Sequence, residues 1–334
     1  MFVETLLTVL RVLAPLFLLI LLGAFLRRKN LIPLTAIPVL NGLVVNVTLP
    51  ALVVLSLANA PQLPPSYALA TLCFLGANLA TMGIAFAIGL ACRLPRPLRG
   101  ALMLTASFGN TGFLGYPITL ARPLVAGIFP AAVLLDQFAM TLPLYLSAAL
   151  VGGAFGGRSE ASHPGTGTPP ASSRRKTILR FFRSPIFLSM LLGLVARLLP
   201  WPDALRSEPQ MQALGQITAQ TLGYLGQGTT PIVLLALGAA LRPGAVRRSP
   251  VPVALACGLK LFVAPLLAWG ACHLAGVPGD LTALAVQMGA MPTAVVCSVL
   301  CTQNALEGDL AVGIVFASTA LSAITIPLVI SLLY

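Results

Sequence analysis

The chain has 334 residues, of which 57% are hydrophobic and only 8% are charged, and its formal net charge is +12. Because a soluble domain carries about 25% charged residues, this composition excludes an ordinary water-soluble fold. The basic residues are not gathered in one water-facing patch, so the positive charge does not indicate nucleic-acid binding.

The apolar residues form ten stretches, and each is long enough to cross a hydrocarbon core about 30 Å thick as a helix. In chain order they cover residues 8–26, 34–57, 67–91, 99–119, 127–152, 184–201, 213–240, 252–274, 280–303 and 310–333. The first is as long as a span and lacks a basic start, so it is predicted to be a membrane helix and not a cleaved signal peptide. We therefore predict an all-α integral membrane protein with ten transmembrane helices.

Basic residues concentrate in alternate loops between these spans. One set of loops holds Arg27, Arg28, Lys29, Arg93, Arg96, Arg99, Arg158, Arg174, Arg175, Lys176, Arg180, Arg183, Arg242, Arg247 and Arg248. The opposite loops hold only Arg122, Arg197 and Arg206. Since Lys and Arg mark the cytoplasmic side, the pattern predicts a multi-pass protein of the cytoplasmic membrane with both termini outside and the central linker inside.

The middle of the chain has the composition of a flexible linker. The stretch from Gly152 to Ser173 is rich in Gly, Pro, Ser and Thr, and a basic run follows it. We predict a first five-helix repeat over residues 1–152, a cytoplasmic linker over 153–183, and a second five-helix repeat over 184–334.

The two halves resemble each other in sequence. In the first helix of each half, Pro15 and Gly23 have the same spacing as Pro185 and Gly193. Further matched sets are Gly42, Asn46, Thr48 and Pro50 with Gly223, Gln227, Thr229 and Pro231, and Thr141, Pro143 and Ser147 with Thr325, Pro327 and Ser331. Because five is an odd number, the second copy must enter the membrane from the opposite side, which predicts the inverted repeat of secondary transporters.

Two spans contain helix breakers at a comparable depth, the fourth over Gly109–Pro117 and the ninth over Gln287–Thr293. Gly costs about 1 kcal/mol and Pro about 3 kcal/mol in a helix interior, so we expect unwound backbone, with a new half-helix starting near Pro117. Such backbone is tolerated at membrane depth only beside protein or a wet cavity, and half-helix N-termini attract carboxylates. We expect the breaks to cross near the midplane and to hold an organic anion. Simple kinks or close helix packing are the alternative.

The candidate substrate-binding residues lie in these breaks or beside the prolines of the second and seventh helices. They are Asn110, Thr111, Gly115, Tyr116, Pro117, Gln287, Gly289, Pro292, Thr293, Asn46, Thr48, Gln227 and Thr229. For the last four, hydrogen bonding between helices is an equal alternative.

Two ionisable residues lie well inside predicted spans, Asp136 and Lys260. A charge at this depth is costly and indicates a function. Asp136 could carry a coupling proton, pair with Lys260 or cap a broken helix. Lys260 could supply positive potential to an anion cavity, or its side chain could snorkel toward the membrane interface.

The sequence contains no signature of a cofactor or of an enzyme. The six cysteines form no Cys-x-x-Cys pair, and His163 and His273 are the only histidines, so no metal site is predicted. Walker, His-Glu-x-x-His and nucleophile-elbow motifs are absent, so ATP hydrolysis and hydrolytic catalysis lack support. A gradient of H⁺ or Na⁺ is therefore the candidate driving force.

Four segments carry a resemblance to a known family: Gly109–Pro117, Asn46–Pro50, Lys260–Pro265 and Met291–Pro292. They resemble the auxin efflux carrier family over nearly the whole chain, and bacterial members of that family are often labelled malonate or malate permeases. The resemblance implies a ten-helix fold related to bile-acid and sodium/proton transporters, with two helices that cross at their prolines. It also implies a scaffold domain, a moving transport domain and often a homodimer.

By position, the resemblance implies that Asn110 and Pro117, together with Gln287 and Pro292, hold the substrate carboxylate. The predicted function is a secondary active transporter that moves a small organic anion, such as a mono- or dicarboxylate, across the lipid bilayer by alternating access. A cation/proton antiporter of related fold stays open as an alternative, although such proteins use an acidic pair where this chain has Asp136 and a glutamine. A non-transporting membrane receptor also stays open.

Overall fold

The structure is a computed structural model that describes residues 2–60, 64–122, 127–156, 182–198, 209–241 and 249–332. The first half of the chain forms α1 (Phe2–Arg28), α2 (Ala36–Leu43), α3 (Leu49–Ala58), α4 (Ser66–Ala91), α5 (Arg96–Ser107), α6 (Tyr116–Ala121), α7 (Phe129–Leu134) and α8 (Leu142–Phe155). The second half forms α9 (Pro185–Leu198), α10 (Pro209–Gln227), α11 (Thr229–Ala240), α12 (Pro250–Gly258), α13 (Ala264–Leu274), α14 (Gly279–Gly289), α15 (Val295–Gln303) and α16 (Gly308–Leu332). Most of the predicted linker over 153–183 lies outside the described residues, as does Arg206.

Seven described helical stretches are long and apolar enough to cross a membrane, judged by length and composition. They are Leu7–Arg28, Ala36–Ala58, Ser66–Ala91, Phe129–Phe155, Pro209–Ala240, Pro250–Leu274 and Gly308–Leu332. The other three predicted spans correspond to α9, which is apolar but shorter, and to two helices that are interrupted near their centres. The chain is thus a multi-pass helical protein, and the two interrupted helices are those in which the sequence predicted breaks.

Four π-helical segments precede prolines at the same spacing. The segments Val44–Thr48, Thr111–Gly115, Leu135–Thr141 and Leu259–Val263 each end two residues before a proline. Proline has no N–H, and its ring collides with the carbonyl of the preceding turn, so a wider turn relieves the contact. Pro15 and Pro327, in contrast, lie inside α1 and α16.

The described helices group into two compact units. Unit 1 comprises Met1–Phe17, Pro64–Arg180 and Leu241–Tyr334, and unit 2 comprises Leu18–Leu63 and Phe181–Ala240. In unit 1, α4 from the first half packs on α13 and α14 from the second, and α16 packs on α5. In unit 2, α3 packs on α9 and α10, and α2 packs on α11. Each unit is therefore built from both halves of the chain.

The sequence match between Pro15–Gly23 and Pro185–Gly193 has a structural counterpart in unit 2. Gly23 lies directly against the backbone of Leu235, and Gly193 lies against Val54 and Leu57, so a side chain at either glycine would meet the facing helix. One turn further on, Arg27 Nη1 donates to the Ala239 carbonyl at 2.9 Å, and Arg197 Nε donates to the Ala60 carbonyl at 2.7 Å. Each arginine thus caps the carboxyl end of the helix on which its own helix packs, where a positive charge is favourable.

Gly238→Ala is expected to destabilise unit 2, because the new methyl group would overlap the carbonyl oxygen of Ile20. The backbone cannot move aside as a flexible side chain can, so we expect the free energy of unfolding to fall by about 1–3 kcal/mol. Gly215 in α10 has no atom within 4 Å of an added methyl group, so Gly215→Ala is the matched control. Its stability should be unchanged or slightly raised, because alanine is the better helix former. The readout is the temperature at which half of the detergent-solubilised protein is lost from the monodisperse chromatographic peak, and equal values for the two variants would contradict the prediction.

Candidate functional site

The first interrupted helix of unit 1 breaks directly after α5. Helix α5 ends at Ser107, Phe108 is extended with φ −103° and ψ 119°, and helical structure resumes at Thr111. The sequence predicted that the new half-helix would start near Pro117. The helix instead resumes earlier, and Pro117 lies in the first turn of α6. The wide π turn before it accommodates the proline, so the extended chain is confined to the residues up to Asn110.

The second interrupted helix breaks between α14 and α15. Helix α14 ends at Gly289, and α15 begins at Val295 after an extended Ala294 with φ −63° and ψ 133°. Of the residues that the sequence singled out, Asn110, Pro292 and Thr293 lie in the breaks, where the chain leaves the helix because proline lacks the N–H that a helix needs and asparagine is a poor helix former. Gln287 and Gly289 lie in the last turn of α14.

The structure brings the two breaks together. Asn110 N–H donates to the Pro292 carbonyl at 2.7 Å, and Ala294 N–H donates to the Phe108 carbonyl at 3.1 Å. Between these two bonds, Gly109 and Thr293 form an isolated antiparallel bridge. The two extended segments therefore satisfy each other's polar backbone groups, as backbone buried away from water requires.

Thr293 anchors this crossing to two further helices. Its hydroxyl donates to the Thr105 carbonyl in α5 at 2.8 Å, and its backbone N–H donates to Ser318 Oγ in α16 at 3.1 Å. All three residues are buried. The crossing is consequently held by side chains as well as by backbone, which fixes its geometry within unit 1.

Asn110 has an unpaired donor at this crossing. Its side chain is only 5% exposed, and its Nδ2 atom has no hydrogen-bond partner. The sequence led us to expect free backbone N–H groups, but those of Asn110 and Ala294 are used by the crossing itself. A buried amide without an acceptor costs about 1–3 kcal/mol, so this group is the natural place for an acceptor from a bound molecule.

Asp136 lies beside the start of the resumed helix and accepts hydrogen bonds from four side chains. The Thr111 hydroxyl donates to its Oδ1. The Tyr116 hydroxyl at 2.9 Å, Gln137 Nε2 at 2.8 Å and the Thr141 hydroxyl at 3.4 Å donate to its Oδ2. All four donors are side chains, so this arrangement is not a helix cap, and the coupling-proton role of Asp136 stays a prediction.

Lys260 is completely buried beside the same crossing. Its Nζ donates to the carbonyl of Gly289, the last residue of α14, at 2.5 Å. A Cβ atom at Gly109 would lie 3.0 Å from Lys260 Cε and 3.2 Å from its Nζ, so the lysine end touches both breaks. Snorkelling to the interface does not fit this burial, and Asp136 is not its partner among the described residues.

Arg122 was predicted to lie in a loop on the side opposite the basic loops, and the structure shows in addition that its side chain is buried. The residue follows α6 and is only 5% exposed, and its Nη1 donates to Gln287 Oε1. Gln287 Nε2 in turn donates to the Thr119 hydroxyl at 2.7 Å, and that hydroxyl donates to the Gly115 carbonyl at 2.8 Å. The Gln287 side chain thus links the two interrupted helices. Hydropathy did not reveal this, because Arg122 stands at the very end of its apolar span.

Two of the predicted site glycines lie where helices approach closely. A Cβ atom at Gly115 would come 2.8 Å from the Met288 sulfur, and one at Gly289 would come 3.0 Å from Pro265 Cα. Pro117 is buried in the first turn of α6. These positions support the crossing through backbone and packing, and they offer no polar side chain to a ligand.

The four candidates from the second and seventh helices lie in unit 2. Asn46 is exposed and donates to the carbonyl of Gly42, one turn earlier, at 2.7 Å, and Gln227 is also exposed. Thr48 and Thr229 are buried, and neither hydroxyl has a hydrogen-bond partner. The remaining candidates, including Asp136 and Lys260, all belong to unit 1.

Sequence reasoning missed three polar residues that the structure brings to the crossing: Arg122, Thr119 and Ser318. Thr119 and Ser318 are ordinary small residues within helices, and no local pattern distinguishes them. Within the described ranges, no group of three or more His, Cys, Asp or Glu side chains is placed to hold a metal ion.

The multi-pass helical fold and the buried crossing of two interrupted helices define a membrane protein with a polar site in its interior, as transporters have. Comparison with known families agrees. Residues 8–330 match the family described as "Membrane transport protein", so the chain belongs to this family and the resemblance to the auxin efflux carriers is confirmed.

Curated relatives cover most of the chain. The protein is 28% identical over 315 residues to an uncharacterized transporter of Methanothermobacter thermautotrophicus, a match that covers 93% of each chain. It is 24% identical to an uncharacterized transporter of Methanocaldococcus jannaschii, over 93% of this chain and 94% of the relative. It is 25% identical to a protein of Rhizobium meliloti described as a candidate malonate transporter, over 93% and 92% respectively.

Proposed function

We propose that the protein is a secondary active carrier of small organic anions, and that the substrate carboxylate binds at the crossing of the two interrupted helices. The family and the relatives are transporters, and one relative is named for malonate, a small dicarboxylate. The proposed activity is transport and not catalysis. Carrier activity would use a gradient of H⁺ or Na⁺ as its energy source.

The observation that carries the proposal is the unpaired Nδ2 group of Asn110. It is a hydrogen-bond donor, so its missing partner must be an acceptor. It is buried at the crossing and has no acceptor among the described residues, so the acceptor has to come from outside the crossing. A carboxylate oxygen meets this requirement, and a metal cation does not.

The charge of the buried residues also favours an anion. Among the buried charged side chains of the described residues, Arg122 and Lys260 are basic and Asp136 is acidic. Asp136 already accepts four hydrogen bonds, which leaves it little capacity to bind a cation. The cation/proton antiporter alternative needs a carboxylate available to an ion, so it is the weaker proposal.

Alternating access is proposed on the basis of the repeat. Ten spans in two inverted five-helix halves would let one set of contacts open on one side while the equivalent set closes on the other. The matched glycine and arginine contacts of α1 and α9 support an internal repeat. The charges of the loops favour a topology with both termini outside the cell. A homodimer is proposed from the family resemblance alone.

The test is uptake of radiolabelled malonate, malate and indole-acetate into proteoliposomes with an imposed pH gradient. Saturable uptake of at least one carboxylate is expected. Asn110→Ala should lower this uptake at least about tenfold, because one hydrogen bond to a charged group contributes roughly that factor. Asn59→Ala is the matched control, since Asn59 is exposed at the end of α3 and should leave uptake unchanged.

Three results would contradict the proposal. Equal uptake by wild type and Asn110→Ala would show that the substrate does not bind to Asn110 at the crossing. If no carboxylate moves but Na⁺ moves in response to the pH gradient and requires Asp136, the antiporter alternative would replace the anion carrier. A protein that moves neither would be the expected result for a receptor.

A further inference from the structure

The carbonyl group of Gly289, the last residue of α14, receives no hydrogen bond from the backbone that follows it. A helical carbonyl accepts from the N–H three or four residues further on. Pro292, three residues on, has no N–H, and the N–H of Thr293, four residues on, donates to Ser318 Oγ. The three carbonyls before Gly289 do accept from backbone N–H groups. The break therefore frees one carbonyl at the carboxyl end of this half-helix.

The side chain of Lys260 binds this carbonyl. Its Nζ donates to the Gly289 oxygen at 2.5 Å, and the residue is 0% exposed. Lys260 belongs to the π segment that precedes Pro265, and a Cβ atom at Gly289 would lie 3.0 Å from Pro265 Cα. The close approach of these two backbones brings the ammonium group to the end of α14.

The end of α14 is a position that favours a cation. The carboxyl end of a helix carries the equivalent of about half a negative charge. In secondary transporters with interrupted helices, the carboxyl ends of half-helices and the unwound carbonyls coordinate the coupling Na⁺. Asp136, the buried carboxylate of the same unit, accepts from other side chains and is not bonded to Lys260. The helix end, and not an ion pair, therefore defines where the ammonium lies.

We propose that the ammonium of Lys260 takes the place of a coupling Na⁺ at the carboxyl end of α14, so that the carrier works without Na⁺. This inference rests on the carrier function proposed above, and it removes Na⁺ from the two candidate driving ions. Na⁺ and the ammonium cannot share the Gly289 carbonyl, because two buried positive charges would meet with no carboxylate bonded to either. The charge of Lys260 belongs to the chain, so no ion has to bind from solution.

The first measurement tests cation binding without transport. The melting temperature of the detergent-solubilised, full-length protein is compared in NaCl and in choline chloride of equal concentration, and wild type should melt equally in both. Lys260→Gln removes the charge and leaves the carbonyl free, so about 100 mM NaCl should raise its melting temperature by about 2 °C or more. Lys260→Arg keeps a cation and should not respond. Lys29→Gln makes the same change at an exposed position and is the matched control.

The second measurement compares carboxylate uptake by wild type in Na⁺ and in choline, and equal rates are expected. Uptake that requires Na⁺, or a melting temperature of wild type that Na⁺ raises above its value in choline, would overturn the inference even if no variant folds. A folded Lys260→Gln that melts equally in both salts would overturn it as well, since a merely structural lysine predicts that result. If no carboxylate moves at all, the carrier proposal fails, and the melting comparison still decides whether Lys260 occupies a Na⁺ position.

Discussion

Asp136→Ala is expected to yield a protein that loses its folded state at a much lower temperature than wild type. The substitution removes the acceptor for four side chains at once, those of Thr111, Tyr116, Gln137 and Thr141. A buried donor left without a partner costs about 1–3 kcal/mol, so the sum approaches the total stability of a folded protein, about 5–15 kcal/mol. The contacts also join the resumed helix to the π segment Leu135–Thr141, so their loss should loosen the crossing.

Thermal unfolding can be followed with a dye that fluoresces on reaction with thiols, because Cys257, Cys272, Cys297 and Cys301 are buried in unit 1. Asp136→Asn should have a smaller effect than the alanine variant. Its oxygen can keep the acceptor contacts at Oδ2, and its NH₂ can donate to the Thr111 hydroxyl. Glu307 is exposed, so Glu307→Gln is the control for loss of a negative charge and should melt like wild type.

The opposite result would assign Asp136 a different role. If both Asp136 variants melt like wild type but lose uptake driven by a pH gradient, the hydrogen bonds of the carboxylate do not stabilise the resumed helix. That outcome would support the coupling-proton role that the sequence left open.

Arg122 and Gln287 are expected to be energetically coupled. Gln287→Leu removes a hydrogen-bond acceptor from a buried guanidinium, and Arg122→Leu removes a donor from a buried amide. Hydrogen bonds to charged groups contribute about 1.5–3 kcal/mol, so each single variant should be clearly destabilised. The double variant should lose less stability than the sum of the two, by a coupling energy of about 0.5–3 kcal/mol.

The coupling is measured as a double-mutant cycle, with thiol-dye melting and with carboxylate uptake as separate readouts. Arg96 is the control arginine, because it is exposed and donates to the Ala154 carbonyl at 3.0 Å. Arg96→Leu combined with Gln287→Leu should give additive losses. Additive losses in the Arg122 cycle would instead show that the two side chains do not act together.

The positions of the helix breaks were largely predictable, because they depend on local chemistry. Gly109 and Pro292 are residues that destabilise any helix, whatever surrounds them. The exact point at which the fourth helix resumes was not predictable. The π turn over Thr111–Gly115 makes room for the ring of Pro117, so helical structure begins before this proline. Whether such a wide turn forms depends on how the neighbouring helices pack against it.

The sequence by itself determined that this is a multi-pass helical membrane protein and where two of its helices are interrupted. Hydropathy and the properties of Gly and Pro act within a few residues of the chain, so they can be read without a structure. Only the tertiary structure decided that Arg122 is buried against Gln287, that Asp136 accepts from four side chains and that the amide of Asn110 has no partner. These properties depend on which distant segments meet, and hydrogen-bond pairing between segments far apart in sequence leaves no local pattern.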